Sequence, residues 1–525
     1  MPLCLQCNSE FHLEEKEVSF YQKFNASLPK KCSFCRHLRH LTFRNERQLF
    51  ANTSHKSGKR IVSLYPEDTP FKIIDQDEWW DDSFDATKYG RDFDFNRPFF
   101  EQYKELQLDV PRWAKITVKC SNSEFCNNSA QVKNGYLTFS SYTSEDVFYC
   151  MRIFNCQTCV DCFFVSDSEF CSGCADSERC YNVHYSMLAE GCSDSYYLYD
   201  CRNCKNCILC TQQNNKEYMY LNKQLTKQEF ETKKQEFLKL LHENKEELDQ
   251  ELLKLAGQTP HRALHQRSTE NCLGNFINNS KNIQNGFYMV KSEDCHNVYN
   301  CSKLKNCYDN SYNELSQMCL EVDTCYNLYN SKFITYCITL ENCTYCDQSD
   351  HLTDCFGCIG LKRHKNMILN KQYSPEEYTE MMAKIKTHMQ ETKEWGQPFP
   401  ANLSPFPYNT TLAHEHTPLT KKEALEAGFM WHDETNKQSE NALTCAKTGE
   451  PFQIIAQEAK FYEKFNLPKP KVCPEQRYQQ INKLRPPNKL RKDNCHSCQT
   501  PIHTAYPKSW GLQIICHECY KKIMF

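Results

Sequence analysis

Residues 150–180 read CMRIFNCQTCVDCFFVSDSEFCSGCADSERC, and residues 295–307 read CHNVYNCSKLKNC. In both stretches small residues return every six positions. From 150 the column is Cys150, Cys156, Cys162, Ser168, Cys174, Cys180, Ser186, Cys192, Leu198, Cys204 and Cys210. From 295 it is Cys295, Cys301, Cys307, Asn313, Cys319, Cys325, Ser331, Cys337, Cys343, Ser349 and Cys355. Three residues later a second column runs through Ile153, Cys159, Val165, Cys171, Ser177, Val183, Ala189, Ser195, Cys201 and Cys207, and neither column carries a charge. Asn and Asp gather just before these positions (Asn155, Asp161, Asn203, Asn300, Asn306, Asn342, Asp354), as suits corners that need local side-chain hydrogen bonds. Recurrence at six, echoed at eighteen by Cys301, Cys319, Cys337 and Cys355, predicts a stacked β-solenoid of about eighteen residues per coil. Ser, Val, Leu and Ile share the columns. The mid-chain thiols are therefore expected to be buried, reduced core residues rather than iron–sulfur or metallothionein-like ligands.

The centre is duplicated. NNSAQVKNGY (127–136) recurs as NNSKNIQNGF (278–287), an offset of 151 that also superposes Cys150 on Cys301 and Cys207 on Cys358. Each half closes with LNKQ (221–224 and 369–372), followed by a capping box. Thr226 and Glu229 open a helix predicted over about 226–256, and Ser374 and Glu377 one over about 375–392. Many outward positions carry tyrosine (Tyr181, Tyr185, Tyr196, Tyr197, Tyr199, Tyr299, Tyr326, Tyr329), a partner surface or a shield for the coils.

The chain ends are copies of one another. Residues 4–78 align with 445–519 at an offset of 441, placing FYQKFN (20–25) on FYEKFN (461–466), Glu17 on Glu458 and Arg36 on Arg477. Each copy has places for two four-ligand sites, and the copies retain opposite ones. Cys4, Cys7, Cys32 and Cys35 are complete, whereas their counterparts are Cys445, Thr448, Cys473 and Gln476. Cys495, Cys498, Cys516 and Cys519 are complete, and their counterparts are Ser54, Ser57, Asp75 and Glu78. Paired CxxC knuckles suit tetrahedral zinc, so two structural Zn2+ ions are expected. Four protein ligands leave no position for a reactive water, and the role implied is folding, to which such ions contribute about 10–16 kcal/mol in small modules.

RHLRHLTFRNERQLF (36–50), read as a helix after the second knuckle, completes a treble-clef pattern with Arg36, Arg39, His40, Arg44 and Arg47 near one face. Residues 30–60 hold nine Lys/Arg against Glu46 alone, and 469–492 hold eight against Glu475. Such islands are candidate phosphate-binding surfaces. The residues expected to contact nucleic acid are Arg36, Arg39, Arg44 and Arg47, with Lys483, Arg485, Lys489 and Arg491 as the equivalent patch. Solvation, or pairing with the acidic stretch 67–94, is the competing use.

With 525 residues the chain exceeds the roughly 250–300 at which one core stops growing, so several domains are expected. The division is 1–110, an N-terminal zinc-ribbon pair; 115–262 and 268–395, the solenoid halves with closing helices; 396–440, a connecting segment; and 441–525, a C-terminal zinc-ribbon pair. No apolar run approaches the roughly 18 residues of a membrane span, and MPLCLQCNSEF (1–11) has no secretory pattern. With 35 cysteines, a reducing compartment is the expectation: the cytoplasm, or a host cytoplasm or virion for a viral protein. Net charge is only −3, so any nucleic-acid binding must be local. No Walker loop, GxGxxG, GxSxG or HExxH is present. The most catalytic-looking segment is WWDDSFDATKYGRDFDFNRPFF (79–100), with Asp92 and Asp94 as carboxylates for a divalent ion, although ion pairing or a solenoid cap explains it more simply. His414 and His416 read as loop residues.

The combination of CRHLRHLTFRNE, WWDDSFDATKYGRDFDFNRPFFEQ, CFGCIGLKRHKNMILNKQYSPEEY and SPFPYNTTLAHEHTPLT resembles a cysteine-rich zinc-ribbon family of giant viruses and small-genome bacteria. The resemblance spans nearly the whole chain and implies the architecture above, mainly β with some α. Some members carry a CoA-transferase label, but no nucleotide or CoA site is legible here. The functional expectation is a non-enzymatic zinc scaffold that binds structured RNA or a ribonucleoprotein, for instance the ribosome, through its basic zinc-ribbon faces. The alternative is an assembly protein, such as a virion component, acting through solenoid contacts with other proteins. A nuclease using Asp92 and Asp94 is the remote third.

Overall fold

The computed structural model describes residues 2–23, 27–308, 327–329, 339–433 and 442–524. Asn313, Cys319, Cys325, Tyr326, Ser331 and Cys337 lie outside them. The chain is mixed α/β and divides into two compact units. One contains Met1–Lys115, Leu264–Asp433 and Asn488–Leu490; the other contains Ile116–Ala263, Glu434–Pro487 and Arg491–Phe525. The five consecutive segments expected from the sequence thus regroup. The N-terminal module joins the second half of the centre, and the C-terminal module joins the first half.

Each half of the centre is a ladder of parallel strands. From Thr117 to Tyr220 every parallel pair joins residues twelve positions apart, as in Gln157 with Glu145, Val165 with Ser177 and Cys207 with Met219. Between Lys281 and Ile368 the described pairs keep the same step. The repeat is therefore twelve residues and not eighteen. From Asn128 to Leu221 every third residue has φ near +50° to +65°, so the local unit is a triplet: two extended residues, then one left-handed residue. The residue after each left-handed one points inward. One inward residue per triplet makes six, twelve and eighteen all valid multiples of three, which is why sequence periodicity could not fix the repeat.

A left-handed non-glycine residue costs about 1–2 kcal/mol. Each triplet regains about that much from two main-chain bonds to its neighbours, worth roughly 0.5–1.5 kcal/mol each. For Val160 and Asp161 these are N–H donations to the Cys171 and Phe148 carbonyls, at 3.0 and 3.1 Å. Side chains then decide the balance. At left-handed corners Asn and Asp form columns, with Asn134 donating to Asp146 at 2.8 Å, Asn155 to Asp167 at 2.7 Å and Asn182 to Asp194 at 2.9 Å. At inward positions the Cys Sγ donates to the carbonyl two residues before and, in most cases, to the one nine after. Cys174 does so with Ser172 at 3.5 Å and Val183 at 3.3 Å. Inward serines donate to the same i−2 carbonyl, and several also accept the N–H of the residue twelve ahead, as Ser168 does from Cys180 at 3.0 Å. Cys and Ser alternate because both are small and both donate. The inward residues form one apolar core from Val132 to Met219.

LNKQ ends each ladder. Leu221 and Asn222, and likewise Leu369 and Asn370, are consecutive left-handed residues, the signature of a tight hairpin turn. The chain reverses, pairing Tyr220 with Lys223 and Ile368 with Lys371 antiparallel. The Asn222 and Asn370 side-chain amide oxygens each accept an N–H of the last repeat, from Thr211 and Ile359, both at 2.8 Å. Capping boxes at Thr226 and Ser374 then start the closing helices. The first, expected as one helix over 226–256, is two, Lys227–Glu243 and Lys245–Gly257, because Asn244 leaves helical geometry and caps the second. Phe230, Phe237, Leu241, Leu248 and Leu252 bury its apolar stripe. The 79–100 segment covers the end of the second ladder. Gly90 passes so close to the Asn370 carbonyl that a Cβ would lie 2.5 Å from that oxygen, Arg91 donates its N–H to Leu369, and Asn370 donates to the Ala86 carbonyl.

Substitution at an inward position tests this chemistry. Cys174→Ser keeps the donor at slightly smaller volume and is expected to shift the urea midpoint little, whereas Cys174→Leu overpacks the column and should cost about 1–3 kcal/mol. Equal losses for both would contradict the inward-donor assignment.

Candidate metal centres

The four candidate sites are built on one local design. After the first ligand position the chain turns tightly, with the residue four ahead in or near the left-handed region: Asn8, Gly58, Gly449 and Gln499. In every case that residue's N–H donates to the first position's carbonyl, at 2.9, 2.8, 2.9 and 2.9 Å for Cys4, Ser54, Cys445 and Cys495. The third position precedes a helix. Cys32, Cys473 and Asp75 are N-caps of Ser33–Thr42, Pro474–Lys483 and Gln76–Trp80, and Cys516 immediately precedes His517–Met524. A helix N-terminus favours negative charge, so each knuckle closes where thiolates are stabilised.

In the two complete sites, Cys4, Cys7, Cys32, Cys35 and Cys495, Cys498, Cys516, Cys519, all four Sγ atoms lie within 4.8 Å of one another. Cys7 to Cys32 and Cys498 to Cys516 are each 3.7 Å. A tetrahedron with metal–sulfur bonds of about 2.3 Å has edges of about 3.8 Å, so the donor set fits one ion. Backbone N–H groups already point at sulfur, from Cys32 to Cys4 at 3.3 Å and from Cys516 to Cys495 at 3.2 Å. Burial alone would raise the Cys4 thiol, but the N–H groups of Cys32, Cys7 and Gln6 bring it down to about 6. Cys35 is pushed far up by burial and by its neighbouring thiols. Four thiolates cannot share that space without a cation, and a divalent ion removes the conflict.

The incomplete sites keep the scaffold without the full set of four thiols. At the N-terminal end Ser54 donates to the Glu78 carboxylate, which also accepts the Asp75 N–H at 3.1 Å. Burial works against the charge, but hydrogen bonds from Ser54 and Ser57 hold the Glu78 carboxyl below the usual carboxylate range. Asp75 and Glu78 form a helix capping box at the positions of Cys516 and Cys519. A hydrogen-bonded cap replaces the metal bridge.

The basic residues are placed differently from the expectation. The helix predicted over 36–50 is Ser33–Thr42, and Phe50–Thr53 is a strand. Arg36 and Arg44 are each 2% exposed. Arg36 donates to Glu17 at 2.6 Å and to the Lys31 carbonyl at 2.8 Å; Arg44 pairs with Glu46; Arg47 reaches Glu415 through two nitrogens at 3.0 and 2.9 Å. Arg39 is half-buried. In the other copy Arg485 grips Asp176 in bidentate fashion at 2.9 and 3.1 Å, and Arg491 donates to the Tyr506 carbonyl at 2.7 Å. Lys483 and Lys489 are exposed, the latter with its ammonium 5.1 Å from the Phe34 ring. The expected outward arginine face is thus corrected: Arg36, Arg44, Arg47 and Arg485 serve internal carboxylates.

Asp92 and Asp94 do not converge on an ion site. Asp92 pairs with Lys371, and Asp94 accepts from the Asn96 backbone and side chain at 2.9 and 3.0 Å. His414 packs against the Tyr408 and Trp431 rings, and His416 is exposed. Among the described residues the two tetracysteine groups are the only clusters of three or more potential ligands.

Sequence reasoning missed the docking role of Arg477, although its alignment with Arg36, and that of Glu458 with Glu17, was visible. Its NH1 donates to Glu458 at 2.7 Å, to Asp161 on the ladder at 2.8 Å and to the Tyr462 hydroxyl at 3.0 Å. In the other unit Arg36 donates to Glu17 at 2.6 Å, and Asn297 of the ladder donates to the same Glu17 carboxylate at 3.5 Å. Aromatic stacks reinforce that docking. His37 lies 3.6 Å from the Tyr299 ring, itself stacked on Phe287, and Phe20 lies 3.9 Å from Tyr308, stacked on His296.

Comparison of the chain with protein-family models gave no match, and no curated protein is significantly similar to it.

Two measurements follow from these centres. Elemental analysis of the purified protein should find two equivalents of tetrahedral metal per chain, and the pair Thr448→Cys with Gln476→Cys should raise this to three; a constant value in the double variant would contradict the shared design. The second is pH dependence. Burial and the neighbouring Glu458 carboxylate, against the pull of Arg477, raise Asp161 to about 6. The folded state therefore binds a proton more tightly than the unfolded one, and this group's contribution to stability falls as pH rises from about 4 to 6 and stays reduced above that. Asp161→Asn, which copies the Asn297 arrangement, should make the melting temperature of the protein less dependent on pH between about 4 and 6. An unchanged pH dependence over that range would contradict this.

Proposed function

We propose that this protein is a non-enzymatic scaffold, held together by two structural zinc ions, whose ladders wind as four-sided β-solenoids with twelve residues per coil and present their outer faces to protein partners. Triplet corners every three residues, with a pairing step of twelve, support four sides per coil. The observation that carries the reading is the burial of the zinc-module arginines against Glu17, Glu46, Glu415 and Asp176. Guanidinium groups committed to internal carboxylates serve as clamps, since breaking a buried pair costs roughly 3–5 kcal/mol. Zinc fits as a closed four-thiolate ion with a folding role.

Outer faces of the first ladder carry exposed aromatic rungs. Phe154 is 42% exposed and stacks on Tyr142 at 5.5 Å with rings nearly parallel, and Tyr181 is 49% exposed. Rigid aromatic anchors of this kind dominate the energetics of protein interfaces. The RNA reading survives on a narrower footing, the exposed lysines Lys483, Lys489, Lys492, Lys508 and Lys522.

RNA binding by the full chain, measured against salt, separates the two. The scaffold reading expects weak binding, little changed by Lys483→Glu with Lys508→Glu. A steep salt slope that becomes shallower in that variant would replace it with the RNA reading.

A further inference from the structure

Cys445 and Cys473 occupy the positions of Cys4 and Cys32 in a site that has lost its other two thiols. The scaffold that brings sulfur to sulfur is intact. The Cys473 N–H donates to Cys445 Sγ at 3.3 Å, the same distance as from Cys32 to Cys4. The knuckle turn is retained, with Cys445 donating to the Glu450 carbonyl at 2.9 Å and Ala446 to the Lys471 carbonyl at 3.0 Å. Thr448 turns its hydroxyl to Glu450 at 3.1 Å and Gln476 its amide to Gln479 at 3.3 Å, so neither completes a tetrahedral donor set. Both thiols are free, in a small apolar cluster with Phe452. Mid-chain thiols are spent on carbonyls of the ladder, whereas Cys445 and Cys473 sit on the same turn that gathers four thiols at the Cys4 site, with the Cys473 N–H on the Cys445 sulfur.

We propose that Cys445 and Cys473 are a reversible dithiol, a redox-modification site in which a disulfide supplies the cross-link that the metal ion supplies at Cys4 and Cys32. The oxidant class is a small organic disulfide such as oxidised glutathione. Cys473, the more accessible of the two at 6% against 1% although burial pushes its thiol up, gives up its proton and attacks one sulfur of the oxidant, whose S–S bond breaks and whose outer half leaves as thiolate and takes up that proton. Cys445 gives up its proton in turn and attacks the Cys473 sulfur of the mixed disulfide, and the remaining half of the oxidant leaves as thiolate and takes up that proton. Two electrons pass to the oxidant, giving one protein disulfide and two small thiols. Although burial works against ionisation, the Thr448 hydroxyl and the N–H groups of Cys473, Lys447 and Thr448 bring the Cys445 thiol down to about 6, which favours the second attack.

The test equilibrates the full metal-loaded chain in graded mixtures of oxidised and reduced glutathione, blocks free thiols, and maps disulfides by peptide mass spectrometry alongside metal content. The expected result is one linkage, Cys445 to Cys473, reversed by dithiothreitol, with both metal equivalents retained. In Cys445→Ser, glutathione should remain trapped on Cys473. Three results would overturn the proposal: a pair that stays reduced while reference dithiols oxidise; linkage that appears only with loss of metal from the tetracysteine sites; or a further tightly held metal equivalent, lost in Cys445→Ser, which would make the pair a two-thiolate metal site.

Discussion

The fold rests on small inward side chains repeated along each ladder, most of them a Cys or Ser donating to the carbonyl two residues behind it. A chain that turns into the left-handed region at every third residue runs against the conformational preference of L-amino acids. Main-chain bonds to neighbouring repeats only about cancel that cost. A side chain that is small enough for the interior and still carries a donor satisfies the corner carbonyl from inside, where no water can reach it. Serine makes the stronger bond, and cysteine fills more volume and tolerates full burial. No cysteine among the described residues is in a disulfide.

The same economy of small repeated parts governs the ends. One knuckle-and-helix design occurs four times, twice with four thiols, once closed by an Asp75–Glu78 capping box that Ser54 joins, and once left with two thiols. The modules are held to the ladders by buried arginines and by ring stacks that extend the ladder's own aromatic columns. Buried ion pairs contribute little net stability, but they specify one docking geometry, since a shifted module leaves a charge unpaired. The asymmetry between Asn297 and Asp161 shows that the duplicated interfaces have diverged in charge while keeping their geometry.

Much of this was legible in the sequence. The offset of 441 located all four knuckles, and the eight complete cysteine ligands converge as their spacing requires. The two columns at 150 and 153 are both inward, and the Asn and Asp residues before them are the left-handed corners. Repeat length was not legible, because a period-three code fits any multiple of three. The fate of the arginines was hidden too. Helical periodicity placed Arg36 and Arg44 on a shared face, but their partners lie on other elements, Glu17 on the preceding helix and Glu46 beyond the helix end at Thr42. Neither did chain order reveal that each terminal module belongs with the distant half of the centre.

The direct test of the central claim is a thiol-reactivity time course on the native, metal-loaded protein. If the mid-chain sulfurs line the inside of the ladders and donate to backbone carbonyls, only a few of the 35 cysteines should label within minutes, and the ladder cysteines only as the protein unfolds in denaturant. Labelling of Cys156, Cys174 and Cys207 in the folded protein at the rate seen in denaturant would contradict it.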